Sequence, residues 1–132
     1  MIRKIIFAFF IGILIGGGYA LYLINNPVSP LETIVNNDST ISITYSRPFK
    51  KERRIFGKES DSALVPYDKY WRTGANKHTY IENNKEIEIS GKLLNPGKYS
   101  IFSIPGEDEW EVFFNTNINY FGVYRPDSSG DI

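Results

Sequence analysis

The residues best equipped for chemistry fall in one short stretch, Leu64-Val-Pro-Tyr-Asp-Lys-Tyr-Trp-Arg-Thr-Gly-Ala-Asn76. Trp71 offers a stacking face, Arg72 a planar fork of donors, and Asn76 both a donor and an acceptor. With Tyr67 beside them, these groups suit a sugar, a carboxylate or another polar or anionic small molecule or glycan. A second stretch gathers Arg47, Lys50, Lys51, Arg53, Arg54 and Lys58 against the single acid Glu52. Such a run either recruits an anionic partner, including a lipid headgroup, or solvates a loop between strands. Together they give a candidate ligand-binding set of Arg47, Arg53, Arg54, Tyr67, Trp71, Arg72 and Asn76. The competing reading of the Trp71–Asn76 stretch is a loop that seals the core, with Trp71 buried and Arg72 satisfying backbone carbonyls.

Other chemistry finds little material. There is no cysteine and His78 is the only histidine, so neither a zinc site nor a disulfide is expected, and no cofactor is implied. No Gly-x-Ser-x-Gly elbow surrounds a serine, and no Gly-rich phosphate loop with its lysine is present. His78 reads as a solvated loop side chain. The acids Glu107, Asp108, Glu109 and Glu111 read as a hydrophilic hairpin tip rather than as paired glycosidase carboxylates. No catalytic residue is assigned. The chain carries 15 basic and 15 acidic side chains. With Arg3 and Lys4 at the extreme N-terminus, the remainder is slightly acidic, which argues against a nucleic-acid partner.

The elements that must carry these groups begin with a membrane segment. Ile5–Ile24 is uncharged and rich in Ile, Leu, Phe and Gly. As a helix it reaches about 30 Å, the thickness of a bilayer's hydrocarbon core. Arg3 and Lys4 precede it, so the positive-inside rule keeps the N-terminus cytoplasmic and exports the chain beyond Ile24 to the periplasm or the extracellular side. An uncleaved single-pass anchor is expected. The alternative is a signal peptide cut near Ala20, after the small-x-small pattern Gly18-Tyr19-Ala20. Gly12 and Gly16 stand at a spacing that lets two helices approach closely, as in a homodimer, although glycine is also simply frequent in membrane helices, which is the preferred reading.

Residues 25–38, with Pro27, Pro30 and several Asn, read as a tether. Residues 39–132 read as one all-β domain, a small antiparallel sandwich or open barrel. Ser39–Tyr45 alternates as a strand with Ile41, Ile43 and Tyr45 on one face, and Pro48 ends it. Residues 49–78 are loop-rich. Glu86–Ile89 alternates again, and Asn95-Pro96-Gly97 is a turn signal. Tyr99–Ile104 and Trp110–Asn115, joined by a polar loop, form a hairpin, and Tyr120–Tyr124 a further strand. No amphipathic helix comes after the first segment.

In their order, the fragments Tyr45-Ser-Arg-Pro48, Arg54-Ile-Phe-Gly57, Leu64-Val-Pro-Tyr67, Trp71-Arg-Thr-Gly-Ala-Asn76, Gly97-Lys-Tyr-Ser100 and Ile104-Pro-Gly-Glu-Asp-Glu-Trp110 resemble the bacterial domain-of-unknown-function family twenty-nine-eleven. The resemblance covers about residues 39–132. It implies an exported, β-rich envelope protein and no established activity. The resulting expectation is a binding or structural module, with an envelope enzyme, glycan-hydrolase-like near Trp71–Asn76, as one alternative. Two departures stand out. The family's Asn-Glu-Ala-Thr reads Asn76-Lys77-His78-Thr79 here, so an acid is replaced by lysine. Relatives also continue past Asp131-Ile132, which leads to the expectation of a C-terminally truncated sheet. A second alternative is therefore an assembly subunit whose sheet is completed by a partner strand.

Overall fold

In a computed structural model, which describes residues 2–26 and 29–132, the chain opens with α1, Ile2–Asn25. By length and composition α1 can cross a membrane. None of its residues is buried, so the rest of the described protein leaves its apolar surface uncovered. A helix hydrophobic all round needs lipid or another helix around it. An N-terminal apolar helix of this kind fits either an anchor or a signal peptide.

The regular structure beyond α1 is β, apart from two short 3-10 turns at Glu59–Asp61 and Ser128–Gly130. The five main strands are β1 (Leu31–Val35), β2 (Ile41–Ser46), β5 (Thr79–Asn83), β8 (Gly97–Pro105) and β9 (Trp110–Asn115). They form one antiparallel sheet in the order β1-β2-β5-β8-β9. β3 (Phe56–Gly57) and β4 (Val65–Pro66) make a short parallel pair, and β6 (Ile87–Ile89) and β7 (Lys92–Leu94) an antiparallel hairpin. Among the described residues the main sheet does not close on itself: β1 and β9 are its two edges. What the sequence predicts as a sandwich or barrel is, at the level observed, one antiparallel sheet with small ribbons beside it.

One face of the sheet holds the main core. Ile41, Ile43, Ile81, Tyr99, Ile101 and Phe114 lie on it, and the β6–β7 hairpin packs over them with Ile87, Ile89 and Leu94. The hairpin turns at Ser90 and Gly91, both at positive φ (52° and 79°), the combination a tight hairpin turn requires. Asn83 roots it: its Nδ2 donates to the carbonyls of Lys85 (2.8 Å), Leu94 (3.2 Å) and Asn95 (2.8 Å), which share the amide hydrogens. A side chain that ties both ends of a hairpin to the sheet makes the second layer part of the same cooperative unit.

The opposite face is also covered. Phe102 is fully buried, stacked on Phe113 at 4.8 Å and touched by Tyr70 at 5.5 Å. The Arg125 guanidinium lies 5.2 Å from the Phe102 ring and 5.3 Å from that of Phe113. Arg125 Nη2 also reaches Asp131 Oδ2 at 2.7 Å, so the C-terminal segment is strapped across the sheet.

Three expectations need correction. Residues 31–35, read as tether, are β1, which pairs with β2 from Leu31↔Ser46 to Val35↔Ser42; positions 27 and 28 of that tether lie outside the described residues. Tyr120–Tyr124 is not a strand: Gly122 sits at φ 86° against the backbone of His78, and the segment covers the sheet instead of extending it. His78 is not solvated. It is 8% exposed, stacked on Tyr120 at 4.5 Å, and its Nδ1 bonds the Tyr120 carbonyl at 2.6 Å.

Candidate functional site

The seven residues singled out by the sequence do not converge on one pocket. Trp71 bridges to Ser103 as an extension of the sheet, its N–H donating to the Ser103 carbonyl at 2.8 Å. Its indole therefore faces the side of Ile101 and Pro105. There it meets Phe56 (5.3 Å) and Trp110 (6.1 Å), while Phe56 and Trp110 are 4.8 Å apart. The indole N–H donates to the Gly74 carbonyl at 3.2 Å.

The next residue on an extended chain points the other way, and Arg72 does. It donates to the Asn76 carbonyl and closes the 72–79 loop. Asn76, at φ 58°, donates to the Ser29 carbonyl at 3.3 Å. Tyr67 is half-buried beside β3, its N–H donating to the Gly57 carbonyl at 2.9 Å.

The arginines are exposed and separately employed. Arg47 pairs with Glu32 at 3.3 Å and Arg54 with Asp61 at 2.9 Å. Arg53 folds back onto the Lys50 carbonyl at 3.0 Å and the Phe49 carbonyl. Exposed pairs of this kind contribute about 0–1 kcal/mol each. Their placement spreads positive charge along one loop without forming a socket.

A different region has the concave, apolar character of a binding site. A cleft of about 370 Å³ opens between the β6–β7 hairpin and β9. Ile89, Leu93, Leu94, Trp110, Val112 and Phe114 line it, and Ile132 stands at one end. Val112 is 53% exposed and Trp110 46%. In β9, Trp110, Val112 and Phe114 share a face, since they pair with Pro105, Ser103 and Ile101 of β8. All three side chains thus point into the cleft.

Among the described residues the edge of β9 is half used. Ile132 N–H donates to the Phe114 carbonyl at 3.0 Å, and Thr116 N–H to the Gly130 carbonyl at 2.9 Å. A strand that uses Phe114 outward also turns the N–H and C=O of Val112 and Trp110 outward, because these groups alternate along an antiparallel strand. No Lys or Pro blunts the edge; Glu111 is the only charge in Trp110–Asn115. Edge strands ordinarily carry such protection against pairing. Hydrophobic lining and outward backbone groups therefore run side by side.

The histidine region has its own electrostatics. Burial, with the nearby Lys98 and Lys77 charges, holds His78 below the usual histidine range, although its bond to the Tyr120 carbonyl works in the other direction. Because a carbonyl can only accept, Nδ1 of the neutral ring carries the proton. Burial and the adjacent Tyr120 hydroxyl push the Tyr70 phenol far above its ordinary value, and Tyr70 donates to the Gly122 carbonyl at 3.1 Å. Among the described residues the buried Tyr120 hydroxyl has no bonding partner. These groups fasten residues 120–125 to the sheet. Among the described residues no group of three or more His, Cys, Asp or Glu side chains is placed to hold a metal ion.

The β9 cleft escaped sequence reading because Leu93 and Leu94 lie in a strand too short to alternate visibly. The signal that pointed toward it was Trp110, the first residue of the second strand of the expected hairpin.

Nothing among curated proteins and nothing among solved structures matches the chain. A family described as "Protein of unknown function (DUF2911)" matches residues 26–132, which includes every strand, the Trp71–Asn76 loop and the β9 cleft. The chain belongs to this family.

Proposed function

We propose that this protein is a membrane-tethered binding module of the cell envelope, and that it takes an extended peptide strand along the outer edge of β9. In this reading α1 remains in the membrane with Arg3 and Lys4 on the cytoplasmic side, and the β domain lies beyond the opposite surface. The observation that carries the binding reading is the coincidence of an apolar cleft with outward backbone donors and acceptors on one strand. An acyl chain would fill the cleft but leave the Trp110 and Val112 backbone groups unbonded. A peptide strand satisfies both at once, its main chain supplying affinity and its alternate side chains entering the cleft. The direction of Asp131–Ile132, antiparallel to β9, sets the direction that an added strand would take.

Titration of the full chain in lipid nanodiscs with a synthetic peptide of alternating Val and Thr tests this. Trp110 sits in the cleft, so binding should shift its fluorescence to shorter wavelength, and the shift should vanish in W110F. The same peptide carrying a central proline should leave the emission unchanged. Equal binding of both peptides would reject strand addition.

A polar or anionic ligand held by Trp71, Arg72 and Asn76 would need these side chains to turn toward one another. Trp71 would have to leave the Phe56–Trp110 cluster and Arg72 the Asn76 carbonyl, so we give this reading second place, with the Arg47–Arg54 loop as a charged surface apart from it.

A further inference from the structure

The basic loop lies where the chain enters the domain. Ser29 and Pro30 are already fixed to it: Arg47 N–H donates to the Pro30 carbonyl at 2.8 Å, and Asn76 Nδ2 to the Ser29 carbonyl. Pro30, Leu31, Arg47, Phe49 and Lys50 line one surface hollow. From Asn26, just past the last turn of α1, to Ser29 is three residues. Covalent geometry limits that span to about 11 Å. If α1 is in a bilayer, the hollow and its loop are held at the headgroup level whatever path the connection takes.

The loop has the chemistry of an interfacial contact. Lys51 and Glu52 take positive φ (48° and 59°), and Arg53 bonds back to the Lys50 and Phe49 carbonyls. The turn is thereby built before any partner arrives. It presents Phe49, 58% exposed, between Arg47 and the exposed Lys50 and Lys51. Aromatic rings prefer the headgroup boundary, and lysine and arginine reach past it to phosphates. An acidic glycan would use the cations but leave Phe49 in water. The combination with an enforced distance to the bilayer therefore favours lipid.

We infer that the Arg47–Arg53 turn docks the β domain onto anionic phospholipid headgroups of the membrane that holds α1, with Phe49 entering the interface. This rests on the anchoring part of the function proposed above. Docking fixes the pitch of the domain, so that the β9 cleft is offered to partners in one orientation.

The chain has no cysteine, so F49C carrying an environment-sensitive NBD dye reports the turn alone. The full-length protein is reconstituted into vesicles of phosphatidylcholine, with or without about one-third phosphatidylglycerol, and flotation is read beside dye emission. The inference expects flotation with both lipids, and blue-shifted, brighter emission only with the anionic one. K50E/K51E should lower the docked fraction at least about tenfold, and half-molar salt should do the same to the unaltered turn. Emission that is identical in both lipids, or that survives charge reversal, overturns docking while leaving the anchor standing. Failure to float with neutral vesicles overturns the anchor reading, and docking with it.

Discussion

The indole of Trp71 stands edge-on to that of Trp110, with ring centroids 6.1 Å apart and planes at 83°. The Trp71–Asn76 loop thus supports, through Trp71, a residue that lines the β9 cleft. Trp110 lines the β9 cleft on one side and leans on Trp71 and Phe56 on the other. Packing in the Trp71 cluster and the shape of the cleft are one problem.

W71A should therefore destabilise the domain by about 3 kcal/mol, since it removes a large ring from a three-ring cluster and leaves a cavity. W71F should recover most of that. Urea unfolding followed by far-UV circular dichroism measures both. R72A should cost no more than about 1 kcal/mol, because its bond to the Asn76 carbonyl is exposed.

N83A should loosen the hairpin over the core. The carbonyls of Lys85, Leu94 and Asn95 all lose their shared donor. A cost of about 2–3 kcal/mol is expected. In amide exchange the β6–β7 bonds should open before those of β5 and β8, whereas uniform loss of protection would show that Asn83 does not root the hairpin.

Acid should weaken the straps around His78. Its folded-state value lies below the unfolded one of about 6.5, so the unfolded chain binds the proton more readily. Stability is full above the unfolded value, starts to fall as pH drops below about 6.5, and is spent once pH has passed the lower folded value. H78Q should flatten that part of the stability profile; an unchanged slope would contradict the assignment. G122A, placing a Cβ about 3.1 Å from the His78 backbone at a φ of 86°, should unfasten the same segment at every pH.

Much of the fold was legible because strands announce themselves where one face is buried. Trp110–Asn115, read as the second strand of a hairpin behind a polar loop, forms β9 at those bounds, while the strand read at Tyr99–Ile104 became Gly97–Pro105. β1 was hidden because an edge strand with little burial shows no alternation: Leu31–Val35 places Glu32 and Thr33 on opposite faces among proline and asparagine. Tyr120–Tyr124 misled in the opposite direction. Tyr120 stacks on His78, while Phe121, Val123 and Tyr124 stay exposed and pair with no strand. Trp71 and Arg72 drew notice by residue type, but type does not tell that neighbours on an extended backbone part to opposite sides. The β9 cleft depends on β6, β7 and β9, which are distant in sequence, and no local pattern reports that.

V112K puts a charge into the cleft at a half-exposed site, so stability should change by less than about 0.5 kcal/mol. Fluorescence binding of the Val-Thr peptide should disappear. Retained binding would move the site away from β9.

Amide hydrogen exchange at Trp110 and Val112 tests the central claim most directly. In the full chain in nanodiscs both amides should exchange fast without ligand, since they face outward from the edge of β9. Saturating Val-Thr peptide should slow both, and leave Glu111 and Phe113, already bonded to β8, unchanged. Unaltered exchange at Trp110 and Val112 in the presence of bound peptide would contradict strand addition and leave the cleft as an apolar pocket alone.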